Sequence, residues 1–180
     1  MPCQSTTVPR RSRAGSCPGH HEGDLIKGSI ASNSAVGTIV ERTTGYLTLL
    51  HLPQGYGANH VADAIITELS ALPDWLAKTL TWDRGTEMCQ HARVTQATQI
   101  RCFFADPYTS WQRGSNENTN GLLRDYMPKS TDLSVYTAQD LQVIADDLND
   151  RPRKRLRYHT PREAFATLLA EQQTGVATTP

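Results

Sequence analysis

A two-residue alternation of apolar and polar positions governs residues 22–51, and a helical period takes over from residue 59. Glu22 to Gly28 forms the first predicted strand and carries Asp24. Ala35 to Thr43 forms the second, with Val36, Thr38 and Val40 on one face. Thr43-Thr44-Gly45 is a turn signal, and Tyr46 to His51 follows as a third strand. The three predict an antiparallel meander, ended by Pro53 and by Gly55-Tyr56-Gly57. In the helical stretch Val61, Ala62, Ile65, Ile66, Leu69 and Leu72 make one apolar stripe, with Asn59 as the expected cap and Pro73 as the stop.

Shorter elements alternate beyond Pro73. Leu80-Thr81-Trp82 is a strand that delivers Asp83 at its C-terminal end. Thr86 to Thr98 is a weakly patterned helix, and Arg101 to Ala105 is another strand. Asp106-Pro107 and Gly114 bound a loop, after which Ser115 is expected to cap a helix carrying Glu117. Thr137 with Asp140, and Thr160 with Glu163 around Pro161, have the spacing of reciprocal helix caps. They start two closing helices, whose buried faces are Leu141, Ile144, Ala145 and Leu148, then Ala164, Phe165, Leu168 and Leu169. The order β-β-β-α-β-α-β-α, then helices, is that of an α/β domain. Residues 1–19 lack an apolar period and are expected to be a disordered tail. Residues 20–172 are the expected core, and 173–180 a flexible C-terminal tail.

Charge refines this picture. The chain of 180 residues has a formal net charge of zero, which hides an asymmetry. Residues 24–147 carry nine Lys/Arg and fourteen Asp/Glu, a balance of −5. Residues 148–162 carry six Lys/Arg against one Asp, a balance of +5. An acidic centre beside a basic strip suits a metal site that meets a polyanion. Charge alone favours the plainer reading of an ordinary domain with one solvated basic loop. No apolar run is long enough to span a bilayer, and the N-terminus has no apolar signal region. Cys3, Cys17, Cys89 and Cys102 lack a disulfide-framework spacing, so a cytoplasmic setting is expected, with Cys89 and Cys102 as small core residues.

Asp24, Asp83 and Glu117 are the candidate chemistry, with 33 residues lying between the last two. Carboxylates brought together repel, by about 4 kcal/mol for a pair ~4 Å apart at an effective dielectric of 20. A fold tolerates that where the site binds cations, and oxygen-only ligands suit Mg²⁺ or Mn²⁺. Two such ions can activate a water or a 3′-hydroxyl and stabilise the leaving oxygen of a phosphodiester. Spacing alone is weak: eleven Asp and seven Glu give about 0.4 chance pairs at any fixed separation. On spacing alone each acid reads more readily as a solvated surface carboxylate, or for Glu117 as a partner of the helix dipole.

The flanking residues add more. They include Gly19-His20-His21-Glu22-Gly23-Asp24-Leu25-Ile26 and Thr81-Trp82-Asp83-Arg84-Gly85-Thr86-Glu87. The longest stretch runs from Phe104-Ala105-Asp106-Pro107-Tyr108 through Gly121-Leu122-Leu123-Arg124. Leu148-Asn149-Asp150-Arg151-Pro152-Arg153-Lys154 and Thr160-Pro161-Arg162-Glu163-Ala164 complete the set. Across roughly residues 19–170 the chain resembles the catalytic core of bacterial insertion-sequence transposases of the IS-thirty family. The resemblance implies a ribonuclease-H-like fold, with a mixed five-stranded sheet flanked by helices. It implies an Asp-Asp-Glu mechanism in which Asp24, Asp83 and Glu117 are the catalytic and metal-binding residues, with Mg²⁺ or Mn²⁺, two ions, as cofactor. The implied reaction is nicking at element ends and 3′-hydroxyl attack on target DNA, by a homo-oligomer at the bacterial nucleoid. Two positions depart from the family pattern: His21 stands where Trp is usual, and Arg84 where Asn is usual. Residues 1–18 do not resemble the helix-turn-helix region expected ahead of such a core, so a truncated transposase is expected. An inactive DNA-binding or oligomerisation remnant and a ribonuclease-H-like nuclease are the alternatives.

Around Glu117, Asn120 and Arg124 lie at i+3 and i+7 on the same helix face. Arg124 can reach a scissile-strand phosphate or else pair with Glu117 or Asp125. Arg113, Asn116 and Gln112 are candidates for holding a DNA end, although Asn116 reads equally as a backbone cap. Trp111 reads more readily as a core residue than as a base-stacking one. Arg151, Arg153, Lys154 and Arg155 form a basic connector suited to phosphate contacts that do not read sequence. Cys17, His20 and His21 lack the second ligand pair that structural zinc requires. His21, close to Asp24 in the chain, is a candidate for the edge of the site.

Overall fold

The computed structural model describes residues 17–82, 88–105 and 114–175, without the side chains of 114, 115, 117 and 172–175. Asp83, Arg84, Trp111, Gln112 and Arg113, and the Glu117 side chain, therefore lie outside the described residues. So do the expected tail up to residue 16 and residues 176–180.

Strands β1 (His20–Lys27), β2 (Ala35–Glu41) and β3 (Leu47–Leu50) form the predicted antiparallel meander. β4 (Thr79–Trp82) pairs with β1 in parallel, and β5 (Arg101–Phe104) extends the sheet in parallel beyond it. The order β3-β2-β1-β4-β5 makes the mixed five-stranded sheet that was expected. β1 starts two residues before its predicted beginning because His20 pairs with Thr79 on its other side. A parallel partner needs a crossover. Helix α1 (Ala58–Leu69) supplies it between β3 and β4, and α2 (His91–Thr98) supplies it between β4 and β5.

Side chains alternate across the sheet, and each face buries its own core. Leu25, Ile39, Leu50 and Trp82 pack on one face against Val61, Ala62, Ile65 and Leu69 of α1 and Val94 of α2. Ile26, Val36, Val40, Leu47 and Leu49 pack on the other. There they meet Leu123 of α3 (Gly114–Leu123) and Leu141, Ile144, Ala145 and Leu148 of α4 (Ala138–Asn149). Fully burying each such Leu or Ile contributes about 1.5–3 kcal/mol. Gly23 sits between Glu22 and Asp24 because a Cβ there would overlap the Trp82 ring. At the sheet edge, Leu47 N–H donates to Asn149 Oδ1 (2.8 Å), and Asn149 Nδ2 donates to Leu47 C=O (2.9 Å).

Helix boundaries differ in informative ways. Asn59 is the second residue of α1, and the extended Gly57 is its N-cap, without a side-chain bond. Ser115 is likewise inside α3, not at its cap. The Thr137–Asp140 box is present in both directions. Thr160 N–H donates to Glu163 Oε2 (2.8 Å) and Glu163 N–H to Thr160 Oγ1 (3.1 Å), starting α5 (Pro161–Gly175) as expected. The apolar stripe of α5 is only half-buried, and Phe165 stacks on Tyr46 with ring centroids 4.4 Å apart. Cys89 is exposed, contrary to its expected core role, and Cys102 is half-buried. No helix among the described residues is long and apolar enough to cross a membrane.

Candidate active site

Asp24 stands near the C-terminal end of β1, on the face that packs against α3 and α4. Its Oδ1 accepts from the Leu25 N–H (2.8 Å) and its Oδ2 from Asn120 Nδ2 (3.1 Å). The Asn120 amide oxygen is buried without a hydrogen-bond partner among the described residues. Across β1 and β4, Glu22 pairs with Thr81 in parallel register. The strand that bears Asp24 thus neighbours the strand that leads to Asp83. α3, which bears Glu117, lies over β1 and β2 on the Asp24 side, held through Asn116 and Asn120.

Asn116 is fully buried, and its Oδ1 accepts from Thr38 Oγ1 (3.0 Å). Its backbone N–H donates to Glu22 Oε2 (3.0 Å). The Asn116 side chain thus docks the helix on the sheet. Arg124 is half-buried and donates through Nη1 to Met127 C=O (3.3 Å).

Lys154 of the basic connector is exposed, and its side chain has no hydrogen bond or ion pair among the described residues. Arg151 pairs with Asp147 (2.8 Å) and bonds the Tyr126 hydroxyl. Arg153 is half-buried, donates to Leu148 C=O (3.0 Å), and has its pKa lowered by that burial. Arg155 donates to the carbonyls of Arg42 and Thr43 (3.3 Å each). Three of the four predicted phosphate contacts therefore also hold the connector to the fold.

His21 faces away from Asp24, since adjacent strand residues point to opposite sides. It is buried, and its Nε2–H donates to Leu76 C=O (2.8 Å). Burial holds its pKa below the ordinary value, against the opposing effects of that bond and of Glu41. A role at the site edge is thus excluded for His21. His20 turns to the opposite side and bonds Thr79 Oγ1 (2.8 Å), so the two imidazoles do not converge on one ion.

Sequence reasoning missed Glu22, Thr38 and Arg42. Glu22 is fully buried, with Arg42 Nε 3.1 Å from its Oε1. The signal was present, because Glu22 lies two residues before Asp24 and shares its face.

No family model matches the chain. It is 50% identical over 153 residues to the transposase for insertion sequence element IS1086 of Cupriavidus metallidurans, covering 85% of this chain and 44% of that protein. It is 46% identical over 145 residues to transposase InsI for insertion sequence element IS30C of Escherichia coli K12, covering 81% and 37%. The transposase for IS4351 of Bacteroides fragilis is 39% identical over 143 residues, covering 79% and 43%. The chain thus spans less than half the length of these relatives. Among solved structures, the catalytic core domain of BIV integrase superposes with a TM-score of 0.63 at 20% identity, covering 87% of this chain and 97% of that one. A chain of a simian T-cell lymphotropic virus intasome gives 0.59 at 19% identity, covering 79% and 53%. Fold and sequence agree: this chain is a homologue of IS30-family insertion-sequence transposases, and it carries the ribonuclease-H-like fold of an integrase catalytic core.

Proposed function

We propose that the chain is the catalytic core of an Asp-Asp-Glu transposase that cuts and joins DNA, with Asp24, Asp83 and Glu117 as its metal ligands. The observation that carries this reading is the parallel pairing of β1 with β4. Glu22 and Thr81 are partners across that pair. Asp24 and Asp83 each follow two residues later in their own segments. Transposase relatives at up to 50% identity support the same assignment.

The donor set fits a hard divalent cation. Asp24 offers a carboxylate whose rotamer two hydrogen bonds fix, and Asn120 adds a buried amide oxygen without a partner among the described residues. All-oxygen sets of this kind suit Mg²⁺ or Mn²⁺, and two ions are proposed. When bound, such ions supply charge neutralisation and a polarised oxygen nucleophile. The protein's own part is to orient. Asn120 holds one Asp24 oxygen, and the Leu25 amide holds the other. Arg113, Arg124 and the connector cations, Lys154 foremost, attract the phosphate backbone without reading sequence. Element ends and target DNA are the proposed partners, with a homo-oligomer as the acting form.

The test supplies nicked or pre-cleaved duplex with Mn²⁺ and follows cleavage and strand transfer. Glu117→Gln is expected to lower the rate by more than about 100-fold, the upper end of what a partner of a metal ligand is worth. Activity that survives this substitution sinks the triad. A folded chain inactive on every DNA supports the inactive remnant, and activity confined to RNA–DNA hybrid supports the nuclease.

A further inference from the structure

We infer that Glu22 is a positioning residue of the reaction centre, a buried carboxylate that docks the first turn of α3, and with it Glu117, onto the strand carrying Asp24. The inference rests on the assignment of Asp24 and Glu117 to one metal site.

Glu22 and Asp24 share a face of β1, yet Glu22 is 0% exposed. A carboxylate so buried loses its hydration, and an apolar side chain would fill the same space more cheaply. Arg42 and Asn116 compensate. Arg42 Nε lies 3.1 Å from Oε1, and the Asn116 N–H donates to Oε2 at 3.0 Å. Asn116 belongs to the first turn of α3 and precedes Glu117 by one residue. The first N–H groups of a helix have no partner within it and carry partial positive charge. An anion reaching across from the sheet satisfies that end of α3.

The composition of α3 explains why a polar anchor is needed. Its sequence is Gly-Ser-Asn-Glu-Asn-Thr-Asn-Gly-Leu-Leu, so both leucines fall at its C-terminal end. The turn that bears Glu117 has no apolar side chain to bury. Polar bonds from the sheet hold it instead: Glu22 to the Asn116 N–H, Thr38 to the Asn116 side chain (3.0 Å), and Asp24 to Asn120 (3.1 Å). These contacts bracket Glu117 in the chain. Glu22 and Asp24 supply the charged ones, charge-assisted bonds are the stronger kind, and the Glu22 bond is the one made to the first turn.

The experiment uses the 180-residue chain. Glu22→Leu/Arg42→Leu removes the acceptor and the Arg42 cation together. Glu22→Gln/Arg42→Leu restores a neutral acceptor. Mn²⁺ affinity is measured without DNA, beside kcat and KM on pre-cleaved duplex and hydrogen exchange at the Asn116 amide. The leucine pair is expected to weaken Mn²⁺ binding and kcat by about tenfold, as misplacement at a reaction centre does, with KM for DNA unchanged. The glutamine pair is expected to recover most of both. Leucine-pair values equal to wild type overturn the inference and leave the metal site standing. Wild type that neither binds Mn²⁺ nor cleaves removes the site reading itself. Should the leucine pair not fold, exchange in wild type decides: the Asn116 amide is expected to be protected before metal is added, and an unprotected amide overturns the docking.

Discussion

Replacing Asn149 by alanine removes one side chain and strands two backbone groups. Asn149 is 1% exposed and Leu47, on the edge strand, is 2% exposed. The side chain accepts from the Leu47 N–H and donates to the Leu47 C=O. Alanine can do neither, and water has little room to take over at a buried edge. Each unsatisfied buried group costs about 1–3 kcal/mol, so relaxation of the edge leaves a loss of about 2–4 kcal/mol. A domain of this size shifts its melting temperature by about 2–4 °C per kcal/mol, which predicts a fall of roughly 10 °C. Urea unfolding should show a lower midpoint at unchanged slope. Hydrogen exchange at the Leu47 amide should accelerate most, because that amide loses its acceptor. Asn149→Asp keeps an acceptor but buries a charge against the Leu47 carbonyl, and is expected to be no more stable than alanine at neutral pH. A loss under about 1 kcal/mol, or unchanged protection at Leu47, would refute the argument that buried unpaired groups set the cost here.

Other predictions follow from single residues. Arg157 is exposed and left-handed, with φ 54° and ψ 38°, at the end of the short 3-10 turn Lys154–Leu156. Glycine adopts that conformation without strain, so Arg157→Gly should raise stability by about 0.5–1 kcal/mol, and a measured loss would show that the arginine makes a contact worth more. His21 has its pKa lowered by burial from the ordinary 6.5. The unfolded chain therefore binds the proton first, so the stability from this neutral imidazole is full above pH 6.5 and is lost as pH falls through the folded value. Urea midpoints from pH 8 to 5 should decline on the acid side, less steeply in His21→Gln; an identical slope would assign the decline elsewhere. Part of the slope will remain in that variant, because burial also lowers the pKa of His20.

The legible parts of this protein are those with local causes. Strand alternation predicted the β1–β2–β3 meander, and the Thr137 and Thr160 caps were readable because a helix N-terminus is closed by residues three apart. Asn59 and Ser115 were misjudged for the same reason. A cap depends on where the preceding chain turns, which a single polar residue does not determine. Candidate acids could be named from their flanking motifs, but their company could not.

That company is a matter of distant pairs. Glu22 meets Asn116 across 94 residues, Asp24 meets Asn120 across 96, and Asn149 meets Leu47 across 102. The strand period places Glu22 on the Asp24 face, but its buried partners lie far away in the chain. The sequence by itself determined the periods and the two reciprocal caps, and it singled out the candidate acids, because those depend on neighbours within a turn or a strand. Tertiary structure alone decided that β4 lies beside β1, that α3 is tied to the sheet through polar bonds, and that Arg155 reaches the Arg42 and Thr43 carbonyls. Sheet pairing and buried polar satisfaction are settled by groups far apart in sequence, which become neighbours only when the core closes.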